Sequence, residues 1–336
     1  MPLIDPNDAY WAARKRVAWA DRSNRERLAI YGPDRARFAH NLTTNEVKRL
    51  IPGQGCEAFV TNLRGKTLGF VTVHVEEERI LLRSDPGSLE TLLPHFSKYG
   101  AVDDVVFNDL SADTFELHLC GPALSELLAR LEIQAEIAGE LTHTKLRLGG
   151  SDLLAIREDP TGVSGLTLIG KAGGRTLVVE QLTRAGHSLG LLEVDAATFD
   201  VLRIEALTPV FGRDITEDNL PQEVGRDRRA INFVKGCYLG QETVARIDAL
   251  GHVNNLLRGI RLEDAGALVP EARSALELDG KQIGTITSAA FSPGWQQPVC
   301  LAYLRTGHDQ PGTTLRLKVR GEEHQAVIAD SPMLPP

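Results

Sequence analysis

The sequence changes character after Gly251, and this change most limits the folds open to the chain. Beyond that residue, short runs with strand-like alternation are separated by turns rich in glycine and proline, with hardly a helical segment between them. A small antiparallel β-barrel or sandwich is the simplest architecture for such a segment, and we predict a barrel over residues 251–336. Residues 331–336 are expected to fray. The predicted strands are 256–262, 275–278, 282–288, 298–304, 314–319 and 325–328.

Residues 1–250 show a different pattern, in which strand-like and helix-like segments follow one another in blocks. Such blocks are typical of the α+β class, not of a doubly wound parallel sheet. We therefore predict two mixed α+β subdomains, interleaved along the chain, ahead of the barrel. The predicted helices include 12–20, a segment after Pro33, 86–99, 121–131 and 196–207, the last capped by Asp195. The predicted strands include 27–31, 57–61, 68–75, 79–83, 104–107, 115–119, 153–157, 166–169 and 176–179.

The overall charge and the cysteine spacing exclude several classes of protein. The 336 residues carry a net charge of -8, so stable binding of nucleic acid is not expected. There is no secretory signal and no apolar run of membrane length, which predicts a cytoplasmic protein that does not bind a membrane. The histidines form no H-x-H or H-E-x-x-H pattern, so no metal site is expected. No C-x-x-C spacing links the cysteines, and we expect four free thiols: Cys56, Cys120, Cys237 and Cys300.

The most concentrated chemistry lies in residues 235–242, K-G-C-Y-L-G-Q-E, which combine a thiol, an ammonium, a carboxylate and two glycines. Apolar residues at helical spacing predict a helix over 239–249, which places Cys237 just ahead of a helix N-terminus. The helix dipole and the ammonium of Lys235 both favour thiolate over thiol. The alternative is a small buried cysteine beside a glycine turn.

This stretch, with Val244, Ala245 and Arg246 after it, resembles the K-G-C-[FY]-x-G-Q-E signature of the YgfZ family. Members of that family are folate-binding proteins related to the T-protein of the glycine cleavage system, and they help iron–sulfur enzymes to mature. Further segments resemble the same family in the same order along the chain. They are 32–38, 42–47, the turn Asn62-x-x-Gly65, R-I-E-A-L at 203–207, F-G-R-D at 211–214 and N-L-P-Q-E at 219–223.

The resemblance implies a T-protein-like folate-binding fold and a set of site residues. The implied catalytic residues are Cys237 and Lys235, with Cys237 acting as nucleophile, redox thiol or transient cluster ligand. Glu205 matches the glutamate of R-x-E-A-G that holds the pterin ring in T-proteins, although Leu207 replaces the usual glycine. The implied cofactor is tetrahydrofolate or a folate derivative. The other implied cofactor contacts are Asn62, Tyr238, Gln241, Glu242 and Arg246.

The function implied by the resemblance is to support the assembly or repair of iron–sulfur clusters in client enzymes, including tRNA-thiolating ones. The implied partners are those client enzymes or cluster assembly proteins. Independent turnover is not expected.

One departure separates this function from that of an aminomethyltransferase. In aminomethyltransferases the turn after the asparagine leads into a pair of aspartates, one of which contributes to methylene transfer onto tetrahydrofolate. The corresponding segment here, 66–71, reads K-T-L-G-F-V, with no acid before Glu76. Gly69 and Phe70 cannot supply a carboxylate. The alternative hypotheses are a divergent aminomethyltransferase that uses tetrahydrofolate and a scaffold protein that has lost folate.

Overall fold

The computed structural model describes residues 6–133, 139–330 and 332–335. Two mixed groups of strands and helices precede a closed barrel, which confirms the predicted α+β class with a C-terminal antiparallel β-barrel. Among the described residues, no helix is long and apolar enough to cross a membrane.

In chain order, the elements before residue 133 are α1 (Pro6–Lys15), β1 (Ala18–Asp21), β2 (Glu26–Tyr31), α2 (Arg35–Leu42), β3 (Gly55–Thr61), β4 (Thr67–Val75), β5 (Ile80–Ser84), α3 (Ser88–Tyr99), β6 (Val106–Asp109), β7 (Thr114–Cys120) and α4 (Leu124–Arg130). Those after residue 139 are β8 (His143–Leu148), β9 (Ser151–Glu158), β10 (Gly165–Lys171), α5 (Arg175–Gly186), β11 (Leu192–Val194), α6 (Ala196–Glu205), α7 (Asp227–Ala230), α8 (Gln241–Leu250), β12 (Asn255–Leu262), β13 (Ala275–Leu278), β14 (Lys281–Ser292), β15 (Gln297–Arg305), β16 (Thr314–Val319) and β17 (Glu322–Ile328).

Consecutive strands at the start of the chain lie in different sheets. Strand β2 belongs to a five-stranded antiparallel sheet of order β3-β4-β5-β2-β6, on which α2 and α3 pack. Strand β1 belongs to a six-stranded sheet of order β11-β1-β7-β10-β9-β8. In that sheet β1 pairs parallel with β11, and the other pairs are antiparallel. The chain therefore crosses from one sheet to the other between Asp21 and Glu26.

The predicted helix 12–20 is wrong in its second half. Helix α1 ends at Lys15, and the chain then forms β1. Ala18, Trp19 and Ala20 are all buried where β1 pairs with β7 and β11. Pairing with two neighbouring strands outweighs the high intrinsic helix propensity of alanine.

The predicted strand 176–179 is also wrong, because these residues lie in α5. Threonine and valine favour strands, but Val178 and Leu182 are both fully buried and lie one helical turn apart. Burial at positions i and i+4 is what one face of a helix provides. Strands β8 and β11 were not predicted, because few of their residues are buried and their apolar alternation is weak.

The C-terminal barrel closes six strands in the order β12-β15-β14-β13-β16-β17, and β17 pairs back onto β12. Every neighbouring pair is antiparallel. All six predicted strands are present, although β14 runs to Ser292 instead of ending at residue 288.

The end of the chain does not fray at Met333. This side chain is 2% exposed, and its backbone N–H donates to the carbonyl oxygen of Glu205 at 2.7 Å. The apolar contact beneath the barrel outweighs the terminal position in the sequence. Ser331 and Pro336, which belong to the predicted frayed segment, lie outside the described residues.

A buried ion-pair network joins the two sheets. Arg83 on β5 is fully buried and donates to the carboxylates of Glu116 on β7 and Glu158 on β9, with N–O distances of 2.7 to 3.1 Å. Burial alone would raise the pKa of both carboxyl groups. The Arg83 guanidinium outweighs that effect and holds both pKa values below their usual range. One cation from the five-stranded sheet thus satisfies two anions from the six-stranded sheet.

Replacing Arg83 with methionine should lower the free energy of unfolding by about 3–5 kcal/mol, because two buried carboxylates lose their closest counter-charge. Chemical denaturation followed by circular dichroism measures this change. The control is Arg130→Met, which removes an exposed pair with Glu126 and should cost less than about 1 kcal/mol. Equal losses in the two variants would contradict the role of Arg83 in joining the sheets.

Candidate functional site

A narrow cavity, called here the central cavity, lies where the two sheets meet the end of α6 and the short helix α7. Its volume is about 70 Å³, which is room for a few water molecules. Five arginines, four carboxylates and two phenylalanines are part of its wall. They are Arg22, Arg25, Arg203, Arg226, Arg229, Glu57, Asp85, Glu158, Asp159, Phe70 and Phe199.

Two larger grooves border the central cavity and share parts of its wall. A ligand longer than the cavity therefore has room to extend into either of them. The first groove, of about 880 Å³, shares Arg22, Asp85, Phe199, Arg203 and Val210 with the cavity. The second, of about 370 Å³, shares Asp159, Thr208, Arg226 and Arg229.

Two of the glutamates in the wall are already paired with arginines. Glu57 accepts a hydrogen bond from Nε of Arg226 at 2.7 Å, and its Oε1 lies 3.1 Å from Nη2 of Arg229. Glu158 accepts two hydrogen bonds from Arg83 at 2.8 and 3.0 Å. These carboxylates are therefore fixed by the fold and are not free acceptors for a ligand.

The arginines, in contrast, retain unused donors. The buried Nε atoms of Arg25 and Arg229 have no hydrogen-bond partner among the described residues. Asp159 accepts from Nη2 of Arg229 at 3.2 Å, and burial raises the pKa of this aspartate. The arginines of the wall therefore keep N–H groups that no described residue satisfies with a hydrogen bond.

An aromatic ring lies in the wall at a position where the family resemblance would place an aspartate. Phe70 lines the cavity, and the Arg226 guanidinium lies 5.9 Å from its ring centroid. The preceding residue, Gly69, packs against Leu92, and a Cβ at Gly69 would come within 3.0 Å of the Leu92 side chain. Gly69 and Phe70 carry no carboxylate, so the wall presents an aromatic ring at this point.

Glu205, at the end of α6, is not part of the described wall of the central cavity. Its carboxylate is fully buried and accepts hydrogen bonds from Tyr10, Arg14 and Ser292. Three protein donors thus already bind this carboxylate, and its contact with a pterin stays a prediction. Arg203 lines the cavity instead, since it lies two residues earlier and so about 200° around the helix.

Cys237 lies on the loop between α7 and α8, and its thiol is exposed. The alternative that it is a buried hydrophobic residue is therefore excluded. All four cysteines are free, as predicted, but Cys120 and Cys300 are buried and Cys56 is partly buried. Burial raises the pKa of those three thiols. Cys237 is not part of the described wall of the central cavity.

The ammonium of Lys235 is bound by the backbone, and its predicted effect on the thiol stays a prediction. It is buried and donates to the main-chain carbonyls of His40, Thr43 and Asn45, at 2.6, 2.6 and 2.7 Å. An ammonium has three N–H groups, so none is left to donate to Cys237. Burial lowers the pKa of Lys235 to about 8. In the folded protein this charged group is bound to main-chain carbonyl oxygens.

Asn62 closes the turn between β3 and β4. Its Oδ1 accepts from the backbone N–H groups of Arg64 and Lys66 at 2.9 and 3.1 Å. Gly240 packs against this turn with φ of +85°, and a Cβ there would lie 2.5 Å from the carbonyl oxygen of Asn62. Both the backbone conformation and the contact require glycine. The fold thus brings together the Asn62-x-x-Gly65 turn and residues 235–242.

The other predicted cofactor contacts follow Cys237 in the chain. Tyr238 packs in an apolar cluster, and burial raises its pKa to about 12. Gln241 is half-buried, and Glu242 and Arg246 are exposed on α8. Like Asn62, these four residues are not part of the described wall of the central cavity. Their contact with a folate stays a prediction.

Most of the cavity wall was not anticipated from the sequence. Its residues come from separate parts of the chain, such as Arg25 after β1, Asp159 after β9 and Arg226 beside α7. No common spacing marks them. The available signal was the charged run at 226–229, R-D-R-R, which supplies two of the five arginines.

Comparison with known proteins gives concordant matches over nearly the whole chain. The family model of the GCVT N-terminal domain matches residues 6–235, and that of the glycine cleavage T-protein C-terminal barrel domain matches residues 256–334. An aminomethyltransferase of Desulforamulus reducens is 27% identical over 96% of this chain and 88% of its own length. A putative chloroplastic transferase of Arabidopsis thaliana is 25% identical over 98% of this chain and 74% of its own. The crystal structure of the glycine cleavage system aminomethyltransferase T from Bartonella henselae shares the fold, with a TM-score of 0.88 and 20% identity over 99% of this chain and 91% of that chain.

Iodoacetamide should alkylate Cys237 in the native protein well before the other three thiols, because it alone is exposed. Mass spectrometry of tryptic peptides after short exposure at neutral pH measures the order of labelling. The Cys237→Ser variant should take up almost no label until denaturant is added. Equal labelling of Cys237 and Cys300 in the native protein would contradict the exposed loop.

Proposed function

The chain belongs to the glycine cleavage T-protein family, and from this premise we propose that it is a cytoplasmic folate-binding accessory protein of the YgfZ type. It supports the assembly or repair of iron–sulfur clusters in client enzymes, including tRNA-modifying ones, and acts through the thiol of Cys237. The observation that carries the proposal is the ring of Phe70 in the cavity wall, within the segment 66–71, for which the resemblance implies a pair of aspartates in aminomethyltransferases.

The electrostatics of the cavity argue against methylene transfer. That reaction needs a carboxylate positioned at the reacting atoms. Glu158 is a poor proton acceptor, because Arg83 holds its pKa well below the usual range. Burial instead raises the pKa of Asp159, which makes it a candidate for this role in a divergent aminomethyltransferase. In this proposal the chain keeps the family fold but carries no acid in the segment 66–71.

The central cavity suits a folate in its chemistry. Phe70 and Phe199 offer flat apolar surfaces, and the free N–H donors of Arg25 and Arg229 suit the acceptor atoms and the anionic tail of the molecule. The volume of about 70 Å³ lies below the 300–1,000 Å³ usual for such ligands, so the remainder of the folate occupies a bordering groove. When bound, tetrahydrofolate supplies a carrier for one-carbon units.

The Cys237 loop suits contact with a partner protein. An exposed thiol is able to act as nucleophile, redox group or transient cluster ligand. Phe233 and Val234, just before it, are 40% and 92% exposed, and such apolar surface is covered when a partner binds. The partners in this proposal are iron–sulfur client enzymes or cluster assembly proteins.

Tetrahydrofolate should bind the protein in isothermal titration calorimetry, and Arg229→Met should weaken that binding about tenfold through loss of a donor in the wall. The exposed Arg130→Met serves as control and should bind like the wild type. A wild-type protein that binds no folate would instead support the scaffold hypothesis.

The same preparation should release neither ammonia nor methylenetetrahydrofolate from an aminomethylated lipoyl carrier protein. Release that is abolished by Asp159→Asn would replace the proposal with a divergent aminomethyltransferase.

In cells that lack this protein, the wild type should restore the activity of iron–sulfur enzymes, and Cys237→Ala should restore much less. The matched control is Cys56→Ala, whose thiol is partly buried with a pKa raised to about 12. Full restoration by Cys237→Ala would remove that thiol from the mechanism.

A further inference from the structure

We propose that Lys235 is a positioning residue, whose bonds to three main-chain carbonyls fix the loop that presents Cys237. The inference rests on the proposed function, because the position of the loop matters only if its thiol acts on a partner. It replaces the predicted catalytic role of Lys235 with a mechanical one.

The ammonium binds the linker that follows α2. Its three acceptors are the carbonyl oxygens of His40, Thr43 and Asn45. The side chain of Lys235 reaches from the loop to the end of α2 and the linker after it, and it is 6% exposed. Three charge-assisted hydrogen bonds to one short segment of backbone constrain the loop far more than a single surface contact does.

The backbone of the loop binds the carbonyls that lie between those three. The N–H of Leu239 donates to Asn41 at 2.9 Å, and the N–H of Asn232 donates to Thr44 at 3.0 Å. Five of the six carbonyls from His40 to Asn45 therefore hold the segment 232–239. Lys235 makes three of these five bonds and lies between the other two in sequence.

The tip of the loop projects from this attachment. Gly236 and Cys237 are both exposed, while Lys235 before them and Tyr238 after them are buried. The pairing of buried flanks with an exposed tip holds the thiol at a fixed place on the surface. Burial lowers the pKa of the Lys235 ammonium, while Glu46 and Cys56 raise it. Together with burial, the Lys235 ammonium lowers the pKa of His40.

Hydrogen exchange at two backbone amides tests the proposal. The N–H groups of Asn232 and Leu239 should lose about tenfold or more of their protection in Lys235→Met. They should also lose it in Lys235→Arg, because a planar guanidinium keeps the charge but cannot direct three N–H groups at converging carbonyls. In both variants the N–H of Thr67, which donates to Asn219 outside this contact, should stay protected.

Lys48→Met is the matched control. It removes an exposed ammonium from the same linker without removing a bond to the loop, so protection at Asn232 and Leu239 should be unchanged. The pH profile of Cys237 alkylation should have the same midpoint in Lys48→Met and Lys235→Met, because neither ammonium donates to the thiol. If Lys235→Met does not fold, Lys235→Arg carries the test.

Wild-type protection in Lys235→Met or in Lys235→Arg would overturn the proposal, because it would show that the three directed bonds of the Lys235 ammonium do not hold the loop. A shifted alkylation midpoint in Lys235→Met with protection unchanged would overturn it in favour of a direct effect on the thiol. Both readouts are independent of folate binding and of client rescue. Failure of the proposed function is therefore distinguishable from failure of this inference.

Discussion

One buried guanidinium, that of Arg83, joins the two sheets on which the rest of the molecule is built. Its two partners, Glu116 and Glu158, come from strands of the opposite sheet, and Arg83 is the nearest cation to each of them, although Arg25 and Arg27 also lie within 4 Å of Glu116. Taking three charged groups out of water is unfavourable unless the geometry is complete, so the pairing is sensitive to how the sheets are placed. Because Glu158 also belongs to the wall of the central cavity, the contact that joins the sheets also sets the charge of the site.

The protein uses several charged side chains for architecture in places where a motif suggests chemistry. The carboxylate of Glu205 links α1, α6 and the barrel through Tyr10, Arg14 and Ser292. The ammonium of Lys235 links the loop of residues 235–242 to the linker after α2. What remains available to ligands and partners is a different set: arginine N–H groups inside the cavity and the thiol of Cys237 on the surface.

Patterns of local sequence predicted the elements whose burial follows their own periodicity. The barrel strands alternate between core and solvent, and Asp195 caps α6 by accepting from the N–H of Thr198 at 2.7 Å, so both were found. The helix predicted over 12–20 and the strand predicted over 176–179 failed, since partners distant in sequence decide the conformation there. Gly236 and Gly240 indicated an open turn around Cys237, and its thiol is exposed. The cavity wall was not predicted, because its residues share no spacing.

The sequence by itself determined the α+β class, the C-terminal barrel and the free thiols, because each of these depends on residue type or on local periodicity. Only the tertiary structure decided which way the charged side chains point. Two residues along α6 separate Arg203, which lines the cavity, from Glu205, which binds Tyr10, Arg14 and Ser292. A motif names both residues without distinguishing their faces, since the direction of a side chain depends on what packs around the helix.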